Sequence, residues 1–482
     1  MKKSNPNSLV GSLAWKLLER FGVQGTQFIL QIVLARILSP DHYGLLSIMI
    51  IFTNLANVFI QTGFNTALVQ NKDVTEEDYS SVFWVSFTMA VLFYGIIFFC
   101  APLIAAFYAM PDIIWPLRVL ALMLLPGALN SVQLAKVSRE MNFRKVFYSN
   151  IAGILLAGSA GIAIAVLGGG LWALVAYTMV NVFTACLVMR FTCNWRIRLV
   201  CDLRRIRVLF SFGWKLLLSS LIDTLYQDIR SLVIGKKYDS STLGYYNRGK
   251  QFPQFFITAV NGTVQSVMLP AMSQKQDSKE EVKKLTRTSI MVSAFILFPI
   301  MAGLAGVATP LVRLLLTDKW LPCVPYLQIY CFSLAFYPIH SCNLQAINAM
   351  GRSDVFLILE IIKKTIGLTA LAIAVFCFNS PIAIAMTGVF TVFTSFLVNA
   401  FPNKKLIHYS YKEQILDILP SLVLAVVMLG CVWAVELLAL PTWLTLLTQV
   451  MVGMIVYASL ALLLKLKPCR FLVEALGQKF KK

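Results

Sequence analysis

The stretch 220-SLIDTLYQDIRSLVIG-235 has the apolar content of a membrane helix, yet it carries Asp223, Gln227, Asp228 and Arg230. Ser219, Asp223, Gln227 and Arg230 step by four, four and three, which places them on one face of an α-helix. A charged side chain facing lipid costs about 2.5–3.5 kcal/mol on the insertion scale. The striped face therefore turns inward, toward protein or water.

The rest of the chain has the same character. Its 482 residues are 58% hydrophobic and 13% charged, with a mean hydropathy of +0.75. Soluble domains carry nearly twice that share of charge. Apolar runs long enough to span a bilayer recur from end to end. About fourteen are expected: 14–38, 44–68, 81–106, 115–136, 147–167, 170–190, 210–235, 244–271, 288–309, 322–347, 354–377, 381–402, 415–437 and 442–464. The expected fold is thus an all-α polytopic membrane protein.

A net charge of +20 on a soluble chain would point to nucleic acid. Here the basic residues gather in short loops such as 136-KVSREMNFRK-145 and 190-RFTCNWRIRLVCDLRRIR-207, with no basic–aromatic platform outside the spans. They read as topology signals that place both termini in the cytoplasm, with no nucleic-acid partner. The basic segment 196–210 reads first as a topogenic loop joining the two halves, with the inner membrane surface as the alternative, and the tail from 468 suits that surface. Lys2 and Lys3 precede no cleavage pattern, so the first span reads as uncleaved. Ten scattered cysteines read as packing residues. His42, His340 and His408 have no metal-ligand spacing, so no metal site is expected.

The two halves resemble each other. At a shift of 200, Gln27, Ile29, Val33, Arg36 and Gly44 meet Gln227, Ile229, Val233, Lys236 and Gly244. At 204, Asn57 and Gln61 meet Asn261 and Gln265; at 209, Pro116, Leu125 and Met141 meet Pro325, Leu334 and Met350. Six spans per repeat keep both halves in one orientation, and parallel repeats build transporters with a site between lobes. The expected organisation is an N-lobe over 1–195, a basic linker over 196–209, a C-lobe over 210–402, two further helices over 403–466 and a tail over 467–482.

The first two spans of each repeat all carry polar stripes: Arg20, Gln24, Gln27 and Gln31; Asn54, Asn57, Gln61 and Asn65; the span-seven set; and Gln251, Gln254, Asn261 and Gln265. Such stripes are either hydrogen-bonded contacts between helices or the walls of a water-filled cavity. Their symmetry-related recurrence and their charge favour the cavity. Arg20, Lys215, Arg230, Arg248 and Lys250 outnumber Glu19, Asp223 and Asp228 there, so the expected cargo carries a diphosphate or another anion. Asp223 is read in two ways, as a proton carrier or as a fixed ion pair with Arg230. Glu360, Lys363 and Lys364 are expected to snorkel to the inner surface. Pro253, Pro270, Pro299, Pro338 and Pro420 are expected to interrupt their spans. No catalytic residues are expected: the outer loops are too short for acid–base chemistry, and 75-TEED-78 reads as a solvated face.

The stretches 34-LARILSPDHYGLLS-47, 61-QTGFNTALVQNKDVTEEDYSSVFWVS-86 and 136-KVSREMNFRKVFYSN-150 resemble bacterial polysaccharide flippases. These are the polysaccharide transporter branch of the multidrug/oligosaccharidyl-lipid/polysaccharide exporters, and the likeness is to O-antigen and colanic-acid-type members. The resemblance implies two six-helix lobes around a cavity lined by helices one, two, seven and eight. It implies translocation of undecaprenyl-diphosphate-linked oligosaccharides from the inner to the outer leaflet of the cytoplasmic membrane by alternating access. It further implies a proton or sodium gradient rather than a bound cofactor, membrane lipid as surroundings, and a polysaccharide polymerase and glycosyltransferases as partners. In the related lipid-flippase branch cavity arginines bind the diphosphate; by location Arg20, Arg230 and Arg248 match them. Cation-coupled efflux of small amphiphiles or drugs is the alternative, which a net-positive cavity disfavours.

Overall fold

The computed structural model describes residues 22–70, 74–193, 195, 197–200 and 202–470. These form helices joined by short turns, with no strand among the described residues. The first are α1 (Gln24–Ile37), α2 (Pro40–Gln70) and α3 (Glu76–Tyr108). A short 3-10 turn then leads into α4 (Ile114–Ala121), α5 (Leu124–Arg139), α6 (Phe143–Val166) and α7 (Leu171–Thr192). The second part holds α8 (Leu203–Lys237), α9 (Ser240–Ser273), α10 (Lys279–Gly306), α11 (Ala308–Leu316), α12 (Val324–Ala335) and α13 (Tyr337–Ala349). It ends with α14 (Ser353–Cys377), α15 (Pro381–Leu406), α16 (Tyr411–Ala434) and α17 (Thr442–Leu463). Among the described residues, nine helical stretches are long and apolar enough to cross a membrane. The long helices α8, α9 and α14 fall outside that group; each carries several charged residues within its length.

The chain forms two compact units, Met1–Gly244 and Tyr245–Lys482. This division and the repeat have different boundaries, because α8 packs along α2 in the first unit.

Within the first unit small residues let helices approach, as membrane packing requires. Gly153 and Gly161 of α6 lie against Asn181 and Tyr177 of α7, and Ala157 and Ala173 are fully buried. The α6–α7 turn uses Gly168 and Gly170 at φ 83° and 50°, a left-handed backbone that glycine adopts without strain. Large apolar side chains such as Phe99 and Leu103 point outward at 78% and 70% exposure, which suits contact with lipid chains.

The 75–78 acids are not simply a solvated face. Thr75 and Asp78 form a reciprocal capping box at the start of α3. Asp78 is buried and accepts from Arg205 of α8 at 2.8 Å. The Ser80 hydroxyl accepts from the backbone N–H of Arg198 at 3.2 Å, and the Ser81 hydroxyl from that of Asp202 at 3.0 Å. The described part of the basic linker is thus pinned to α3.

The second unit repeats this logic at the start of α16, where Ser410 and Glu413 form another capping box and Lys283 bonds Glu413 at 2.7 Å. Arg287 pairs with Asp417 at 2.6 Å, and the Tyr409 hydroxyl donates to the same carboxylate. Burial, reinforced by Asp417, pushes the Tyr409 phenol above its ordinary range. Deeper in the unit, Asn343 of α13 donates to Gln414 at 2.8 Å and accepts from Asn403 at 2.8 Å. These buried amides tie α13, α15 and α16 together.

Pro253, Pro299 and Pro420 sit inside unbroken helices, contrary to the expected interruptions. Only Pro338 stands at a break, between α12 and α13. A proline removes one backbone bond, and a long membrane helix tolerates that where neighbours satisfy the freed group.

Candidate functional site

Three helices of the first unit carry the expected polar stripes. On α1, Gln24, Gln27 and Gln31 are half-buried. On α2, Asn54 is exposed, while Asn57 and Gln61 are half-buried and bonded to each other at 3.2 Å. A Cβ on Gly127 of α5 would come within 3.5 Å of Asn57 Oδ1. Asn57 and Gln61 therefore serve at least partly as contacts between helices, whereas Asn54 opens outward. On α8, Lys215, Ser219 and Gln227 are exposed, and Asp223 and Arg230 half-buried. Arg230 lies over the Tyr226 ring at 5.8 Å. The α8 stripe is the most accessible of the three.

The second unit carries the other candidates on α9. Arg248 is 4% exposed, donates to Gln251 at 2.7 Å and stacks over Trp320 at 5.2 Å. Lys250 is half-buried and Gln254 exposed, the latter within 3.4 Å of the Thr258 hydroxyl. Arg248 is thus held by an amide and a ring, while Lys250 and Gln254 are more open. Arg20 lies outside the described residues, as do the tail beyond 470 and the side chains of Asn65, Asn261 and Gln265.

At one end of the first unit the chain repeats a contact on itself. A Cβ on Gly44 would run into the Ser240 carbonyl, and one on Gly244 into the Pro40 carbonyl. Both pairs are related by the shift of 200, so the contact is reciprocal, as at a two-fold axis. The Ser240 hydroxyl donates to the Asp41 carboxylate across it. Nearby, the Lys236 ammonium donates to the Phe107 carbonyl and sits 4.3 Å from the Phe107 ring. Residue spacing shows Gly44 and Gly244 as repeat partners, but not that the two places touch.

The charged cluster on α14 departs from its expected placement. Lys363 is 7% exposed and bonded to Glu360; it does not snorkel. It stands ten residues beyond the start of α14, about 15 Å along the axis, farther than its stem reaches. Among the described residues no three metal-ligating side chains gather.

Comparison with known proteins agrees with this architecture. A family model described as "Polysaccharide biosynthesis protein" matches residues 33–325. The succinoglycan biosynthesis transport protein ExoT of Rhizobium meliloti (strain 1021) is 24% identical over 352 residues, 73% of this chain and 71% of that protein. The lipopolysaccharide biosynthesis protein WzxC of Escherichia coli (strain K12) is 22% identical over 370 residues, 76% of this chain and 74% of that one. Among solved structures, the inward closed conformation of the lipid II flippase MurJ matches with a TM-score of 0.74 and 15% identity, covering 94% of this chain and 98% of that chain. That likeness shows a shared polytopic transporter fold. The family match spans more than half of the sequence, and the chain belongs to the polysaccharide biosynthesis protein family as a multi-pass membrane protein.

Proposed function

We propose that this protein is a flippase that carries polyprenyl-diphosphate-linked oligosaccharides from the inner to the outer leaflet of the cytoplasmic membrane, with both termini in the cytoplasm. In this reading two six-helix halves, 1–195 and 210–402, alternate in access, and 403–466 adds two helices. The observation that carries it is the cationic polar face of α8, Lys215, Asp223, Gln227 and Arg230, on a fold shared with a lipid flippase.

The chemistry follows from the cargo's three parts. The diphosphate needs cations in a low-dielectric place; Arg230 supplies forked donors and Lys215 and Lys250 point charges. The sugars need donors and acceptors, which the amides of α1, α2 and α9 provide. The polyprenyl chain stays in lipid. Asp223, two turns before Arg230 on the same helix face, opposes the bound anion with its negative charge, which aids release. Arg248, gripped by Gln251 and Trp320, fixes the local charge on α9. Cargo supply and use would fall to glycosyltransferases and a polymerase.

Mass spectrometry of lipid extracts tests this reading. Depletion of the protein should accumulate a polyprenyl-diphosphate oligosaccharide while surface polymer is lost, and the wild-type gene should reverse both. Intact surface polymer without accumulation would replace this reading by efflux of another amphiphile.

A further inference from the structure

One surface patch of the first unit has no part in the polar stripes. It is the connection from α7 to α8, which lies along the start of α3. The Ser80 hydroxyl accepts from the Arg198 N–H and the Ser81 hydroxyl from the Asp202 N–H, and the Ser81 hydroxyl donates to the Val200 carbonyl at 3.4 Å. The Trp84 indole donates to the Arg198 carbonyl at 2.9 Å. Trp195 and Ile206 are buried among Leu68, Tyr79 and Phe83, with Ile197 packed against them. These contacts turn the remaining side chains outward. Arg198, Arg204 and Arg207 are exposed, and Leu199 is 89% exposed. Phe191, in the last turn of α7, is 80% exposed.

Asp202 is the acid within this connection. Its carboxylate accepts from the N–H groups of Arg204 and Arg205 at 2.9 and 3.2 Å. The Arg205 guanidinium goes to Asp78. Arg198, Arg204 and Arg207 form no ion pair among the described residues. Arg204 and Arg207 are three apart at the start of α8, so they stand side by side on one helix face. Charge that only sets topology needs no fixed place. Here the backbone is held residue by residue while three guanidinium groups are presented outward. Water suits the guanidinium groups, and hydrocarbon suits Leu199 and Phe191. The boundary between headgroups and acyl chains suits both. Trp84, eight residues into α3 and so about 12 Å from its start, marks that level, because tryptophan prefers the membrane–water interface.

We propose that Arg198, Arg204 and Arg207, together with Leu199, form a docking surface for the headgroups of anionic phospholipids. Guanidinium forks match phosphate oxygens in pairs. A headgroup with net negative charge balances the three cations, which a zwitterionic one does not. Leu199 enters the acyl boundary beside it. The surface is continuous with α8, whose first turn holds Arg204 and whose polar stripe begins at Lys215, about three turns on. Lipid docked there fixes the end of α8 from which that stripe extends, and so makes the helix sensitive to the charge of the surrounding bilayer. The proposal rests on the flippase reading only for the leaflet, which is then the inner one; the surface itself is independent of cargo.

The test is native mass spectrometry of the full-length protein in detergent, titrated with phosphatidylglycerol or with phosphatidylcholine. The wild-type protein should bind phosphatidylglycerol more tightly at low salt, and the difference should shrink as salt rises. Each basic residue near a membrane surface strengthens the attraction about fivefold. Arg204→Gln/Arg207→Gln should therefore weaken phosphatidylglycerol binding about thirtyfold and leave phosphatidylcholine binding unchanged. Lys404→Gln/Lys405→Gln, which removes two exposed cations at the end of α15, should keep the wild-type preference. If the double arginine variant does not fold, Arg198→Gln alone should show about a fivefold loss. Equal binding of the two lipids by the wild-type protein, or an equal loss in the Lys404→Gln/Lys405→Gln variant, overturns the proposal. So does full phosphatidylglycerol binding by the arginine variants, which would leave these arginines to an acidic protein partner. None of these results touches the flippase reading, which stands or falls on the lipid extracts.

Discussion

Single residues carry the sharpest consequences. Arg230 stands half-buried on the polar face of α8, over the Tyr226 ring at 5.8 Å, where a diphosphate would meet its forked donors. A hydrogen bond to a charged group is worth about 1.5–3 kcal/mol, so Arg230→Ala should lower polymer export by roughly ten- to a hundredfold. Arg230→Lys should recover part of it, since charge survives while the fork is lost. Export measured at matched membrane levels decides; wild-type export by the alanine variant removes the cationic site. Asp223→Asn should slow export in the same assay if Asp223 helps release the diphosphate, and unchanged export would make it structural. Asp78 has a different task. Its carboxylate caps α3 and anchors Arg205, so Asp78→Ala should cost about 1–2 kcal/mol. A lowered melting temperature of the detergent-purified protein, with the cargo-facing residues untouched, is the expected result.

At the scale of helices, the reciprocal Gly44–Gly244 contact brings the first turns of α2 and α9 together. A side chain at either place meets a backbone carbonyl, which cannot turn aside as a side chain can. Gly44→Leu should therefore part the two helix ends while Gly25→Ala, where a Cβ meets nothing within 4 Å, should leave them closed. A cysteine placed at Ser240 in a cysteine-free background reports this. It should resist a membrane-impermeant maleimide in the parent and react in the Gly44→Leu variant; equal labelling in both would show that the contact does not hold this end shut. The buried amides of α13, α15 and α16 make a second prediction at this scale. Asn343→Leu leaves the Gln414 Oε1 without its donor and Asn403 with only the residue-343 backbone carbonyl, and should cost about 1–3 kcal/mol, read as a lower melting temperature.

Much of the whole molecule was legible in the chain. Apolar runs bounded by basic loops mark the helices, since no other backbone satisfies itself in lipid. The stripes of α1, α2, α8 and α9 are legible because charge in an apolar run has few explanations. What was not legible depends on partners distant in sequence. Lys363 reads as a snorkelling lysine until the helices packed over it leave it 7% exposed. The acids at 75–78 read as solvated until Arg205, 127 residues on, meets Asp78. Asn399 and Asn403 do share a helix face at a spacing of four, a signal that buried amides were present. Prolines mislead in the opposite sense, because a long membrane helix absorbs most of them. The compact units also part at Gly244 and Tyr245, inside α9, where composition changes not at all.

The central claim is movement of a lipid-linked oligosaccharide between leaflets, so the decisive measurement resolves the leaflets. Spheroplasts that lack the polymerase step would be treated with a membrane-impermeant oxidant of sugar diols, and the polyprenyl-diphosphate oligosaccharide then extracted and weighed. With the wild-type protein present, a substantial share of the oligosaccharide should be oxidised before lysis. After depletion, or with Arg230→Ala, it should be protected until the membrane is broken. Equal oxidation with and without the protein would contradict the account.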